Sequence, residues 1–373
     1  MMLMLSSRAR AANRAYLLPR LAILALLPFL GLGVGPAQAS HWIECDTGVP
    51  AASMRFFDAH NHLQFSTAEI AEDKLDELGT HGVSLGMLAL GVQNEGLLEI
   101  ALDLQADDDY AVFALVNPPH YDDGAGNKTF DGTSLASVQF WLGQGARGIG
   151  EVILRHSGPP SMGADIPADQ ETAMDFYAEA AARDVPVSFH FEVRDKADPG
   201  TDIESRVQEL RNAVSGNPNT TFIWSHAGDT GPTVVRALIE DYPNLYADIS
   251  TRNPYFERDW PAGLQSLGSG TDGFGPLKTA WKELFEDYPD RFMFGLDLAS
   301  ETRWDQLGLV MTYYRGVLAQ VSQETAEKIA CKNARALLLS TSAPAAGVPL
   351  GGPLITLLAA TGALGLWLRQ RRS

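Results

Sequence analysis

Two histidines separated by one residue, His60 and His62, follow the run Phe56-Phe57-Asp58-Ala59. On a β-strand the period of two sets Asp58, His60 and His62 on one face, with roughly 6–7 Å between successive positions. Imidazoles placed in this way can point into one cavity and share one divalent cation. A His-x-His pair alone also fits two polar residues closing a strand. Its weight depends on where the other chemistry-bearing residues fall.

Bringing such residues together requires strands that end at one place. Short apolar runs alternate with helix-like segments through the middle of the chain, which is the pattern of a parallel α/β fold. Candidate strands occupy residues 55–63, 83–90, 110–117, 146–154, 185–192, 220–226, 245–250 and 291–298. Residues 67–78, 170–183 and 203–214 carry helical spacing, and residues 304–321 and 323–339 would be closing helices. Eight strand–helix alternations over about 280 residues predict a (β/α)8 TIM barrel. A doubly wound sheet with fewer strands is the alternative. Barrel chemistry gathers at the C-terminal ends of the strands. There the chain places His60 and His62, then Glu151 after Gly148-Ile149-Gly150 and His190 after Val187-Ser188-Phe189. His226 follows Trp224-Ser225, and Asp297 follows Phe294-Gly295-Leu296. Groups of this kind are expensive to bury unless paired or ligated, and their convergence on one mouth is what a metal centre needs.

His60-x-His62, Glu151, His190, His226 and Asp297, in this order on strands 1, 4, 5, 6 and 8, resemble the amidohydrolase superfamily of metal-dependent hydrolases. The closing Asn333-Ala334-Arg335-Ala336-Leu337-Leu338 is similar to the end of the amidohydrolase-related group, which includes metal-dependent decarboxylases. The resemblance implies that His60, His62 and Asp297 bind a divalent metal, zinc first, with manganese or iron as alternatives. In a one-metal site His190 completes the ligand set and His226 orients or deprotonates water. In a two-metal site both histidines hold the second ion. Glu151 stands where two-metal relatives carry a bridging group, and otherwise reads as an acceptor that orients a ligating histidine. The implied reaction is attack of metal-bound hydroxide on a carbonyl or related electrophile of a small molecule, with Asp297 shuttling the proton. Decarboxylation of a small carboxylic acid is the alternative, and a non-catalytic surface protein stabilised by its ions is a third reading. Arg155, His156, His120 and Arg252 follow strands and are candidate substrate contacts. Asp58 is read as structural. Residues 251–275, with Tyr255, Phe256, Trp260 and Phe274, form either a lid or packed surface.

The ends of the chain read differently from its body. A basic segment through Arg20, an apolar run from Leu21 to Val34 and Ala37-Gln38-Ala39 make residues 1–39 a secretory signal peptide with an A-x-A cleavage site. Residues 40–339 are then the barrel domain, and residues 340–347 a linker. Residues 348–373 contain an apolar stretch followed by Arg369, Arg371 and Arg372, which predicts a transmembrane segment with its basic end in the cytoplasm. This tail resembles the C-terminal sorting signals of the PEP-CTERM kind, which implies a membrane-embedded processing enzyme as a partner. The expected location is the periplasmic side of the inner membrane or the cell surface. Residues 1–39 and 340–373 hold seven arginines and no acid, so the formal charge of −18 becomes −25 for the body between them. Such a body repels phosphate backbones and excludes a nucleic-acid partner. Cys45 and Cys331 flank the body. Closure of a barrel brings its first strand and last helix together, so they either pair in an oxidising compartment or remain two buried thiols.

Overall fold

Phe56 and Phe57 are neighbours in the chain, yet each belongs to a different buried cluster. Phe57, Phe113, Leu115, Ile223 and Met293 pack with one another, while Phe56, Ala114, Val116, Phe222 and Trp224 pack outward against helices. That alternation is the signature of strands with an apolar side chain on each face, as a barrel wrapped in helices requires. The computed structural model describes residues 44–62, 67–91, 95–107, 111–124, 127–157, 163–195, 200–256 and 266–340.

The barrel strands, in chain order, are β1 (Phe56–Asp58), β2 (Val83–Leu85, resuming after Gly86 as Met87–Gly91), β3 (Phe113–Asn117) and β4 (Gly148–Ile153). Then come β5 (Val187–His190), β6 (Phe222–Trp224), β7 (Leu245–Asp248) and β8 (Phe292–Met293). Every adjacent pair from β1 to β8 is parallel. Closure runs through backbone bonds beyond the regular strands: Ala59 N donates to Phe294 O at 3.0 Å, and Asp297 N donates to His60 O at 2.7 Å. The result is a TIM-barrel-like α/β fold around a parallel sheet. Gly86 is where β2 passes from one neighbour to the other, and a Cβ there would lie 2.2 Å from Phe57 Cε1. The regular strands are shorter than the sequence suggests. Residues expected to end strands 6 and 8, His226 and Asp297, instead have φ of 57° and 54°, turns that re-aim their side chains.

Helices cover the outside. In Glu171–Arg183 the buried residues Ala173, Phe176, Tyr177 and Ala180 recur at helical spacing. Gln323–Glu327, Lys328–Lys332 and Asn333–Ser340 run together as the closing helix, with a wider π turn in the middle. Ala334 and Leu338 of that helix join the inner cluster with Phe57 and Met293. Cys331 in the π turn is disulfide-bonded to Cys45, 286 residues away, which ties the segment before β1 to the closing helix. Gly48 N, donating to Glu327 Oε1 at 2.6 Å, makes the same connection. The expected leader, the expected membrane segment, the linker beyond Ser340, Leu63 and Trp260 lie outside the described residues. Among the described residues no helix is long and apolar enough to cross a membrane.

Candidate metal centre

Glu151 is a carboxylate that reaches all four histidines, two from each half of the barrel. It is carried by β4, which lies close against β5 because residue 150 is glycine: a Cβ there would stand 2.8 Å from Ser188 Cβ. Its Oε2 lies 3.2 Å from His62 Nε2 and 3.6 Å from His60 Nε2. Its Oε1 lies 3.2 Å from His190 Nδ1 and 3.7 Å from His226 Nε2. Asp297 faces three of the four, with Oδ1 3.5 Å from His62 Nε2 and 3.9 Å from His60 Nε2, and Oδ2 3.8 Å from His226 Nε2. The structure thus brings His60, His62, Glu151, His190, His226 and Asp297 into one cluster at the C-terminal end of the barrel.

Each of three histidines has its other ring nitrogen held from behind. Asp248 Oδ2 is 2.9 Å from His60 Nδ1, and Ser250 Oγ is 2.8 Å from His226 Nδ1. Glu192 Oε1 is 3.2 Å from His190 Nε2. Asp248 and Glu192 are fully buried, and sequence reasoning passed over both. The signal for Asp248 was present, since it ends the apolar β7 as Glu151 ends an apolar run in β4. Glu192 lies two residues past His190 and shares its face by the strand period. Gly295 makes room for this packing: a Cβ on it would meet His60 Cβ at 2.9 Å and Ser250 Cβ at 3.0 Å.

Charge inside the cluster is set by competition between burial and pairing. Burial works against an ionised His60, but Asp248 and Glu151 outweigh it and hold the imidazole well above its usual range. Against the same penalty, Glu151 and Glu192 push His190 up to about 10. Burial lowers His226, opposed by Asp297 and reinforced by the cationic His60 and His190. Glu151 stays well below the usual carboxylate range despite burial, chiefly through His60 and His190. Asp297, also buried, is held at about 2, first by the Arg303 guanidinium and then by His60. Arg303 Nη1 donates to Asp297 Oδ2 at 2.5 Å and to its carbonyl at 2.6 Å, a contact the sequence did not suggest.

This donor set fits a divalent cation. Ligand atoms of His60, His62 and Glu151 lie within 4.8 Å of one another, as do those of Glu151, His190 and His226. Four buried carboxylates, Glu151, Glu192, Asp248 and Asp297, surround the histidines, so protons held between them can be exchanged for metal charge. Imidazole with carboxylate suits zinc, manganese or iron.

The residues proposed for substrate are mostly committed elsewhere. Arg155 pairs with Glu209 at 2.7 Å and with Asp165. His120 Nε2 lies 2.8 Å from the Ile153 carbonyl, and its ring stacks on Phe130. Arg252 is buried and donates to the carbonyls of His226, Ala227 and Thr230, which clamps the turn Ser225–Asp229. His156 sets its ring against a side chain of the cluster, edge-on to His190 with ring centroids 4.3 Å apart. In the long loop, Tyr255 meets Phe274 edge-to-face, and the Arg303 guanidinium lies 5.1 Å above the Phe256 ring.

Residues 57–339 match a family model described as amidohydrolase. No curated protein matches the chain. Among solved structures, an uncharacterized TIM-barrel protein from Bordetella bronchiseptica is 16% identical, over 73% of this chain and 83% of its own, at a TM-score of 0.46. A Staphylococcus aureus protein assigned as an amidohydrolase is 12% identical over 76% of this chain and 99% of its own, at 0.49. An amidohydrolase from Burkholderia multivorans is 15% identical over 76% and 99%, at 0.46.

Proposed function

This chain belongs to the amidohydrolase family, and from that premise we propose that it is a metal-dependent hydrolase of a small carbonyl-type electrophile. The observation that carries the reading is the position of Glu151, with Oε2 3.2 Å from His62 and Oε1 3.2 Å from His190. The residues that would hold metal are His60, His62 and Asp297 on one side of Glu151 and His190 and His226 on its other side. When bound, divalent ions would supply Lewis acidity toward a carbonyl and make water acidic enough to lose its proton near neutral pH. The chain supplies the rest. Asp297 accepts the proton of the attacking water at a carboxylate oxygen and returns it to the leaving group. Arg303 keeps that carboxylate ionised and fixes its orientation. His226, clamped through its carbonyl by Arg252, holds its Nε2 toward Glu151 and Asp297. The reach of Glu151 to both histidine pairs favours hydrolysis over decarboxylation at a single ion.

The test is metal content per chain by elemental analysis of the full-length protein, with Glu151→Gln beside it. Two ions falling to one or none in the variant support the reading. One ion in both proteins removes the bridging role and turns the choice toward decarboxylation. We also propose that the protein works outside the cytoplasm, as the Cys45–Cys331 disulfide and Ala37-Gln38-Ala39 support. Mass spectrometry of the purified protein would find Ser40 as its first residue; an intact Met1 would overturn this.

A further inference from the structure

The barrel closes without a ladder. Among the described residues β1 pairs with β2 and β8 with β7, and no ladder joins β8 to β1. We propose that the Cys45–Cys331 disulfide is a redox latch on this seam: its reduction by a dithiol opens the seam and loosens the site that His60 and Asp297 share. The effect on metal rests on the metal-dependent reading above; the opening of the seam does not.

The upper part of the seam is a short set of hydrogen bonds. Ala59 N donates to Phe294 O at 3.0 Å, and Leu296 N and Asp297 N both donate to His60 O, at 3.2 and 2.7 Å. Leu296 N also reaches Asp58 Oδ1 at 3.0 Å. His60 and Asp297 therefore stand on opposite sides of the line where the barrel would part. Below them the closing helix replaces the missing ladder. Its π turn, Lys328–Lys332, touches both β1 and β8, and Ile329 O accepts from Phe294 N at 2.8 Å. Asn333 Nδ2 donates to Phe292 O at 2.8 Å and to Pro289 O at 2.7 Å. Cys331 lies between these two anchors in sequence and is buried with Phe57 and Met293.

Cys45 sits on the segment that leads into β1, so the disulfide ties the β1 side of the seam to the helix that holds β8. Two hydrogen bonds make the same connection: Gly48 N to Glu327 Oε1 at 2.6 Å and Gln323 Nε2 to Val49 O at 2.7 Å. Water competes for such groups at a surface, whereas a covalent bond does not yield to it. The chain has two cysteines, so no other disulfide takes over. A reductant has a way in. Cys45 is half-buried and lines a surface hollow of about 340 Å³, with Lys332 and Arg335 to draw a thiolate and Glu44 against it. One thiolate of the dithiol attacks Cys45 Sγ and forms a mixed disulfide as the bond to Cys331 breaks, and Cys331 leaves as a thiolate that takes a proton from water. The second thiol loses its proton and displaces Cys45, so the dithiol departs as a cyclic disulfide and both cysteines are reduced.

The experiment adds dithiothreitol to the full-length, metal-free protein and counts thiols by alkylation and mass spectrometry. Both cysteines should be reduced in the folded protein; a disulfide that yields only in urea overturns the inference. Hydrogen exchange then locates the loosening. After reduction, residues 56–60 and 292–297 should exchange at least about tenfold faster relative to β5 and β6 than before. An unchanged ratio means that the bond supports the whole barrel alike, and overturns the latch. Freed thiolates bind zinc themselves, so the effect on the site is read in the variant carrying Cys45→Ser and Cys331→Ser, by competition with a chromophoric chelator. Zinc needs His60 and Asp297 together, so its affinity falls by the fraction of chains with the seam closed, at least about tenfold from the oxidised wild type. An affinity within about threefold overturns the link between seam and site. Wild type that takes up no zinc removes the metal-dependent reading instead, and the exchange ratio still decides the latch. That ratio is read on the wild-type chain, so it decides even where the serine variant does not fold.

Discussion

Replacing Asp248 by asparagine should destabilise the metal-free protein in a pH window that the cluster itself defines. Asp248 is fully buried and accepts from His226 N at 3.0 Å, Ser250 N at 3.0 Å and Ser250 Oγ through Oδ1, while Oδ2 faces His60 Nδ1 at 2.9 Å. Asparagine keeps the size and one oxygen, so the bonds at Oδ1 survive. The charged bond to His60 is lost. Hydrogen bonds to charged groups contribute about 1.5–3 kcal/mol, and the remaining imidazolium would sit buried beside a neutral amide, so the expected loss is about 2–3 kcal/mol.

The window follows from the two pKa shifts. Despite burial, His60 lowers the pKa of Asp248, so that contribution is present above the unfolded value, about 3.9, and is lost as pH falls through the folded one. Asp248 and Glu151 raise the pKa of His60, so its contribution is complete below about 6.5 and fades as pH rises through the folded value. The pair therefore counts most between about pH 4 and 6.5. Urea unfolding in EDTA at pH 5.5 and at pH 9, wild type against Asp248→Asn, measures it. A difference below about 0.5 kcal/mol at pH 5.5 would refute the pairing argument, since buried charged bonds do not vanish at that scale. A larger loss at pH 9 than at pH 5.5 would refute the assigned signs.

Asp297→Asn should lower turnover of any ester or lactone the wild type hydrolyses by about 10²–10⁴-fold in steady-state assays, the usual range for removing a general base. Far-UV circular dichroism should be unchanged, because the barrel closes at this point through the Asp297 backbone N–H. Gly295→Ala should cost about 1–3 kcal/mol in urea unfolding and weaken zinc binding, because its methyl would sit 2.9 Å from His60 Cβ and 3.0 Å from Ser250 Cβ. Replacing both Cys45 and Cys331 by serine should cost about 2–5 kcal/mol, since their bond closes a loop across nearly the whole barrel. Urea midpoints of the wild type with and without reductant should show the same loss.

Strand order and the inward residues of the site are local properties, and they were legible in the sequence. Apolar runs that end in His60, Glu151, His190, His226 and Asp297 announce themselves one strand at a time, and a barrel gathers strand ends without any knowledge of side-chain contacts. Asp248 obeyed the same rule and could have been found by applying it to the seventh run. What holds each side chain in place could not be read in this way. The pairs Asp248 with His60 and Glu151 with His190 join residues 188 and 39 positions apart, and their choice of nitrogen depends on rotamers fixed by packing. Arg155, Arg252 and His120 carry the residue types of substrate contacts, but the tertiary structure commits them to Glu209, to the carbonyls of the turn Ser225–Asp229 and to Ile153. Sequence thus determined which groups reach the mouth, because alternation along a strand is a short-range rule. Only the closed barrel decided which atom each group presents, because that is set by neighbours from distant strands, and a buried polar atom must take whichever partner lies within reach.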